Sequence, residues 1–486
     1  MAAEGKTVNP RPAHTVALLA ALAALVPGAL ITHATSPHAQ FEAGVPLEEI
    51  KCGEDLVLLE SPRGTPACVS TGSAEILEAR GFAPVGAVLP GPSAPSMMPA
   101  ASTESGHDPT PRGAASASNR FAVGLYNQLS GGDGNIFFSP LSIYVAFSAL
   151  YEGAGGETAE QMRRVLGLDA DAGARRAAVG GLVDHVNRPD PDSTLAMANA
   201  LWVDDQLLLS GSYGSAVRDS YMAHVESLDL QEGGTGRVND WIEDNTNGVI
   251  RDVVQESHID ESTRLVITNA IYLDAEWERQ FPKHDTYEDD FWKNGMESTR
   301  ADFMSLWGGF DHASLDGFQM VRLPYKGERL SMLVLLPDGR DGIGALEESV
   351  TAPNIDRWKK DLAPADLIVD IPRFKTGSDY DLVGLLEDLG MTNVFAPGAA
   401  DLSGIGRDAA TGMTLHVAAA LHKAFVDVHE EGTEAAAATV VAGRLESSLD
   451  IPFPPFKADR PFMFMIQDDE TGALLFMGRV TDPTVG

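Results

Sequence analysis

Apolar and polar positions alternate most cleanly in one short stretch near the C-terminus. In an extended chain Thr433, Ala435, Ala437, Thr439 and Val441 share one face, and Glu434, Ala436, Ala438, Val440 and Ala442 share the other. The first face carries no charge, so the segment can be buried as a new central strand while Glu434 stays in water. Before it stand His429, Glu430, Glu431 and Gly432, a glycine at which the backbone is free to pivot; the alanines behind it cost little in helix or strand. A helix capped by Thr433, with acidic residues near its positive end, fits the same letters. The continuation argues against it, because Gly443 to Asp450 is irregular and Ile451-Pro452-Phe453-Pro454-Pro455 cannot prolong a helix. The pattern predicts a segment built to change conformation.

The N-terminal part divides into blocks. Lys6 and Arg11 precede an uncharged apolar run from Thr15 to Ile31, interrupted by Pro27 and Gly28, which predicts a signal sequence or a single membrane anchor over residues 1–39. Ala34 and Ala39 offer only approximate cleavage sites, so secretion and tethering both fit, and either places the protein outside the cell. Residues 40–86 form a small unit with the only two cysteines, Cys52 and Cys68. Leu56-Val57-Leu58-Leu59 and Ala67-Cys68-Val69 predict two strands around the Gly64-Thr65 turn, and Ala74 to Ala79 a short helix. In an oxidising exterior the cysteines are expected to pair, which would contribute roughly 3 kcal/mol to a unit too small to hold itself together well. Residues 87–118 are rich in Pro, Ser, Ala and Gly without a hydrophobic period and predict a flexible linker.

Composition narrows the functional classes. The 486 residues are 44% hydrophobic, enough for one large core, and the formal net charge of −35 argues against nucleic acid as a partner and suits a saline exterior. Arg163, Arg164, Arg175 and Arg176 are scattered pairs rather than a basic stripe, and they read as solvated helix charges. Gly211-Ser212-Tyr213-Gly214 misses the nucleophile elbow of hydrolases, and Gly153-Ala154-Gly155-Gly156-Glu157-Thr158 lacks the lysine and hydroxyl of a phosphate loop. No cofactor or metal is expected, and no enzymatic activity.

A series of motifs runs from Asn135-Ile136-Phe137-Phe138-Ser139-Pro140-Leu141-Ser142-Ile143 through the glycine run at 153–156 to Thr268-Asn269-Ala270-Ile271-Tyr272, followed by Trp277 and Phe281. It continues through Leu323-Pro324-Tyr325-Lys326-Gly327, Ile371-Pro372-Arg373-Phe374, Leu421-His422-Lys423-Ala424, the glycine-alanine segment at 432–438, Phe456 to Phe462, and Phe476-Met477-Gly478-Arg479-Val480. In these motifs and their order the chain resembles the serpin family from about Asn119 to Pro483. The resemblance implies an α+β fold over residues 119–486, with three β-sheets, eight or nine helices and an exposed reactive loop. It further implies a monomer that traps a target serine protease, and in some members a cysteine protease, as a covalent acyl complex once the cut loop inserts into the large sheet. The two-cysteine unit resembles a module near the N-termini of exported archaeal proteins.

Residue by residue, the resemblance makes Glu430, Glu431, Gly432, Thr433, Glu434, Ala435, Ala436, Ala437 and Ala438 the hinge. Ser139, Ser142, Asn269 and His422 become a polar cluster beneath the sheet, the shutter. Trp277, Arg373 and Glu430 become the breach, where the loop enters, with an Arg373–Glu430 ion pair. Family spacing from Gly432 puts the cleaved bond at Glu446–Ser447, whereas side-chain chemistry favours Arg444–Leu445, which a trypsin-like protease accepts. Moving the bond two residues earlier shortens the inserted strand by about 6.6 Å, so Glu446–Ser447 ranks first. A non-inhibitory serpin, acting as a binding or chaperone-like protein, is the competing function. Such members commonly carry bulky, charged or proline residues in the hinge, whereas this chain has Thr433 and four alanines.

Overall fold

The structure is a computed structural model that describes residues 52, 56–60, 66–70, 83–84, 108–260, 262–293, 295–408, 415–433 and 455–485. The chain splits into two units, Met1–Ser105 and Gly106–Gly486. In the first, strands β1 (Leu56–Glu60) and β2 (Pro66–Ser70) are antiparallel, with Leu58 opposite Cys68, so both expected strands form. A third strand that sequence alone did not suggest, β3 (Ala83–Pro84), joins the free edge of β1. The side chain of Cys68, the 74–79 segment and the 15–31 apolar run lie outside the described residues, and the Cys52–Cys68 pairing stays an expectation. Among the described residues no helix is long and apolar enough to cross a membrane.

The second unit opens earlier than its motifs imply. Helix α1 (Pro111–Leu129) starts inside the stretch read as linker, with Pro111 in its first turn and Thr110 as N-cap, whose hydroxyl accepts from Gly113 N at 3.2 Å. Ala114, Ala117, Phe121 and Leu125 follow helical spacing and are all buried. The small residues that resemble a tether's are small because this helix packs closely, so residues 111–118 do not belong to the linker expected over 87–118. Eight further helices follow among the described residues: α2 (Pro140–Tyr151), α3 (Gly156–Leu166), α4 (172–186), α5 (Gly211–Tyr221), α6 (Gly234–Asn245), α7 (Ile343–Ser349), α8 (Ala352–Lys360) and α9 (Val383–Asp388). Of these, α4 runs unbroken through Ala172–Arg175, a π turn Arg176–Gly180 and Gly181–Val186.

Three sheets carry the fold. The six-stranded sheet has the order β14 (Phe374–Asp381), β16 (Ala419–Val428), β17 (Gly432–Thr433), β8 (Leu265–Glu276), β5 (Ser193–Asp204) and β7 (His224–Leu228). The other two share one long strand, β10 (Ser298–Leu315). Its residues 298–303 pair with β9 (Tyr287–Trp292) and its residues 303–312 with β13 (Ala363–Pro372), and β13 in turn pairs with β18 (Pro455–Lys457). Its second half leads into β11 (Phe318–Pro324), β12 (Leu330–Pro337), β19 (Phe462–Asp468), β20 (Leu474–Val480) and β4 (Ile136–Phe138). A short ribbon of β6 (Leu207–Leu209) and β15 (Gly406–Asp408) completes the unit.

The core explains this division. β12, β19 and β20 read as continuous apolar runs because both of their faces are covered, and all of their residues are buried. Helix α6 and the segment after it pack on the six-stranded sheet, where Val238, Ile242, Ile250, Val253 and Val254 share a buried apolar cluster with Trp202 of β5, Val266, Ala270 and Tyr272 of β8, and Leu421 of β16. That cluster spans the junction between β8 and β16.

Candidate functional site

That junction is a wedge. β8 and β16 are parallel and pair from Val266↔Ala419 to Ile271↔Ala424, after which they diverge. At the open end sits β17, antiparallel to both neighbours, with Gly432 opposite Glu276, and Thr433 opposite Ala275 on one side and Val428 on the other. The hinge is thus already seated between two strands. Gly432 is required for space rather than for pivoting. It lies in strand backbone, and a Cβ there would stand 2.1 Å from the Ala275 carbonyl oxygen and 2.7 Å from Glu276 Cα. Thr433 is fully buried, its hydroxyl 2.7 Å from the Tyr325 hydroxyl.

The breach residues converge on the hinge backbone. Trp277 N donates to Glu431 O at 2.9 Å, Trp277 Nε1 to His429 O at 2.9 Å, and Phe281 N to Glu430 O at 2.9 Å. Trp277 stacks on Tyr325, centroids 4.5 Å apart and planes 11° from parallel. The expected Arg373–Glu430 pair forms, with Arg373 Nε 2.9 Å from both carboxylate oxygens and Nη2 bonded to one; Thr286 Oγ1 adds a hydrogen bond at 2.5 Å. Burial pushes the Glu430 carboxyl up, but the bonds from Arg373 and Thr286 outweigh this and hold it below the usual carboxylate range. Glu431 pairs with Lys283 in the same way.

The shutter residues lie deeper in the wedge. Sheet register places Asn199 (β5), Asn269 (β8), His422 (β16) and Tyr380 (β14) in one row across four strands. Ser139 caps helix α2, its hydroxyl accepting from Ser142 N at 3.2 Å and donating to Leu475 O at 2.7 Å. Its backbone N–H donates to His422 Nε2 at 3.1 Å. Nε2 is therefore an acceptor, and the ring proton sits on Nδ1, which donates to Asn269 Oδ1. Asn269 Nδ2 reaches Ser142 Oγ and Asn199 Oδ1, and Ser142 Oγ donates to Asn199 Oδ1 at 3.0 Å. Burial drives the His422 pKa down to about 3, so the imidazole is neutral. Wholly buried, with both nitrogens engaged, it has no opening for metal or base chemistry. Among the described residues no group of three or more His, Cys, Asp or Glu side chains could hold a metal ion.

All four expected shutter residues and all three breach residues are thus brought together. Glu434, Ala435, Ala436, Ala437, Ala438, Arg444, Leu445, Glu446 and Ser447 lie outside the described residues. Asn199, Tyr325, Thr286 and Tyr380 belong to the two networks and were not singled out from sequence. Asn199 had a signal, a lone amide in the run Ala198-Asn199-Ala200-Leu201-Trp202. The four arginines read as solvated charges are all ion-paired: Arg163 with Glu160, Arg164 with Glu157, and Arg175 and Arg176 with Glu152. Arg175 differs from that reading in being buried with Glu152 rather than solvated.

Comparison with known proteins agrees with this geometry. Residues 116–483 match the family described as Serpin (serine protease inhibitor). An uncharacterized serpin-like protein of Thermococcus kodakarensis is 38% identical over 377 residues, covering 76% of this chain and 86% of the relative. The leukocyte elastase inhibitor of Equus caballus is 33% identical over 386 residues, covering 76% and 99%. Uncleaved ovalbumin superposes with a TM-score of 0.70 at 29% identity, covering 76% and 99%. On its fold, on its two polar networks and on these matches, this chain belongs to the serpin family.

Proposed function

We propose that the protein is a suicide-type inhibitor of serine endopeptidases, exported and either secreted or held at the outer face of the membrane by its N-terminal apolar run. The observation that carries this reading is the seating of Gly432–Thr433, antiparallel to both β8 and β16, at the open end of the wedge. Continuing the β8 register, in which Thr433 faces Ala275, puts Thr439 opposite Asn269. Continuing the β16 register, in which Thr433 faces Val428, puts Thr439 opposite His422. The two extrapolations coincide because Asn269 and His422 are themselves partners. An inserted strand would place the Thr439 hydroxyl where the Asn269–His422 bond now lies, and the ladder would reach Gly443 at the end of β8.

The side chains suit that path. Ala435, Ala437, Thr439 and Val441 would share the buried face of Thr433, and Ala436, Ala438, Val440 and Ala442 would face the cluster that holds Val253, Ala270 and Leu421. Insertion exchanges the six β8–β16 pairings for ladders on both sides of a new strand, each hydrogen bond contributing a net ~0.5–1.5 kcal/mol. A protease that attacks the loop and forms an acyl-enzyme is then carried along as the strand enters, and its active site is distorted before water can release it. Both candidate bonds, Glu446–Ser447 and Arg444–Leu445, lie beyond Gly443, so either leaves the full wedge available to the cut segment.

The test is to mix the protein with trypsin and with a glutamate-specific endopeptidase and to look for a denaturation-resistant complex on a gel. The expected result is a covalent band with at least one of them, and mass spectrometry of the released C-terminal peptide identifies the bond. Cleavage without any such band, at every ratio, supports the binding or chaperone-like serpin instead.

A further inference from the structure

Sheet register fixes what the outer face of an inserted strand would meet. Gly432 and Thr433 face Glu276 and Ala275 on β8, so the next residue, Glu434, would face Asp274. On the other side Thr433 faces Val428 on β16, so Glu434 would face Asp427. Asp274 lies five residues from Asn269 and Asp427 five from His422, so both project on the side of the sheet opposite the shutter row, and both are half-buried. The row continues to Lys375 on β14 and Thr194 on β5. Entry of the strand would therefore set three carboxylates side by side on adjacent strands, about 4.8 Å from one strand to the next.

The charges around this row do not offset it. Lys375 Nζ lies 3.2 Å from Asp427, but the pair is exposed and contributes little. Two residues nearer the mouth of the wedge, on the same side, stand Glu276 on β8 and His429 on β16. Lys326 is 3.1 Å from Asp192 and 3.7 Å from Glu276, and His429 Nδ1 is 3.0 Å from Glu431. Burial, and then the charge of Glu276, hold the Asp274 carboxyl above the usual aspartate range, against an opposite pull from His429. Like charges placed directly opposite each other weaken a sheet. The buried face of the segment enters without charge, and the outer face meets opposition at its first residue beyond Thr433.

We propose that Asp274 and Asp427 act against Glu434 as an electrostatic brake on insertion, so that the cut segment enters more favourably as salt rises. At 1 M salt the screening length falls to about 3 Å, less than one strand spacing, and the opposition is largely removed. The proposal rests on the insertion step of the proposed function and adds what regulates it. The experiment uses the full chain, its Asp274→Asn and Glu434→Gln variants and the double variant. Each is nicked with trypsin, for which Arg444 is the one basic site in the 434–454 segment, and the cut is confirmed by mass spectrometry. The readout is the rise in unfolding temperature on nicking, in 0.1 M and in 1 M NaCl, taken on the free cut chain or on the covalent complex where all of it is trapped. Comparing each chain with its own intact form cancels the general effect of removing a negative charge. The parent is expected to gain more on nicking at 1 M than at 0.1 M. At 0.1 M either single variant should gain about 2 °C more than the parent, and the double variant less than the sum of the two. A rise that is equal in all four chains, or gains that simply add, overturns the brake and leaves insertion standing. No rise in any chain sinks insertion itself.

Discussion

Gly432 and His422 show how single residues set the terms of this fold. Gly432 is excluded from bearing a side chain by the backbone of the neighbouring strand, a constraint that no local pattern expresses. His422 is the reverse case, a titratable group kept neutral because burial removes the water that would stabilise its charge. With a folded pKa of about 3 against about 6.5 when unfolded, the unfolded chain binds the extra proton between those values. Stability is therefore fully present above about pH 6.5 and falls as the pH drops toward 3. Glu430 and Asp468, whose carboxyls are held low, add losses in the same direction at the acidic end. Thermal unfolding from pH 7.5 to pH 4 should show a steep decline. In His422→Gln the part of that decline between pH 6.5 and 5 should flatten; an identical slope in both proteins would remove His422 from the account.

At the scale of elements, the wedge between β8 and β16 is the decisive structure, with β17 seated at its open end. A two-residue strand has no stability of its own; it stays because Thr433 bonds Tyr325 and because Trp277 and Phe281 hold the backbone just before it. Cleavage should let the strand lengthen to fill the wedge. About ten added hydrogen bonds at ~1 kcal/mol each would raise the unfolding temperature by something on the order of 10 °C in a domain of this size. Thr433→Arg should unseat β17 in the intact chain and so block that rise, because a charge cannot occupy the fully buried site from which the strand would extend. Calorimetry of intact and nicked protein checks both statements, and the variant should become a plain substrate of any protease the parent traps. Seven members of the two networks were legible in the sequence. Asn199, Tyr325, Thr286 and Tyr380 were not, because they join through register and stacking between strands far apart in the chain. The start of α1 was missed for a different reason: alanine, serine and glycine are shared by tethers and by closely packed helices.

For the whole molecule, charge is the dominant condition. A net charge of −35 makes the folded chain repel itself, while many of its cations are committed to local pairs such as Arg300 with Glu288, and Lys457 with Asp289. Salt shortens the reach of that repulsion from about 10 Å at 0.1 M to about 3 Å at 1 M. Surface pairs weaken too, but each contributes little. The net prediction is that raising salt from 0.1 M to 1 M increases the unfolding temperature by several degrees, read by differential scanning calorimetry; a decrease would show that ion pairs, not repulsion, govern this surface.

By itself the sequence determined the family, the large core and the acidic net charge. These follow from residue types and their spacing, which need no partner to be read. Only the tertiary structure decided that the hinge is seated, that Gly432 serves space rather than rotation, and that one row of side chains locks four strands together. Those facts depend on which residues meet across strands, and separation along the chain says nothing about that until the sheet has formed.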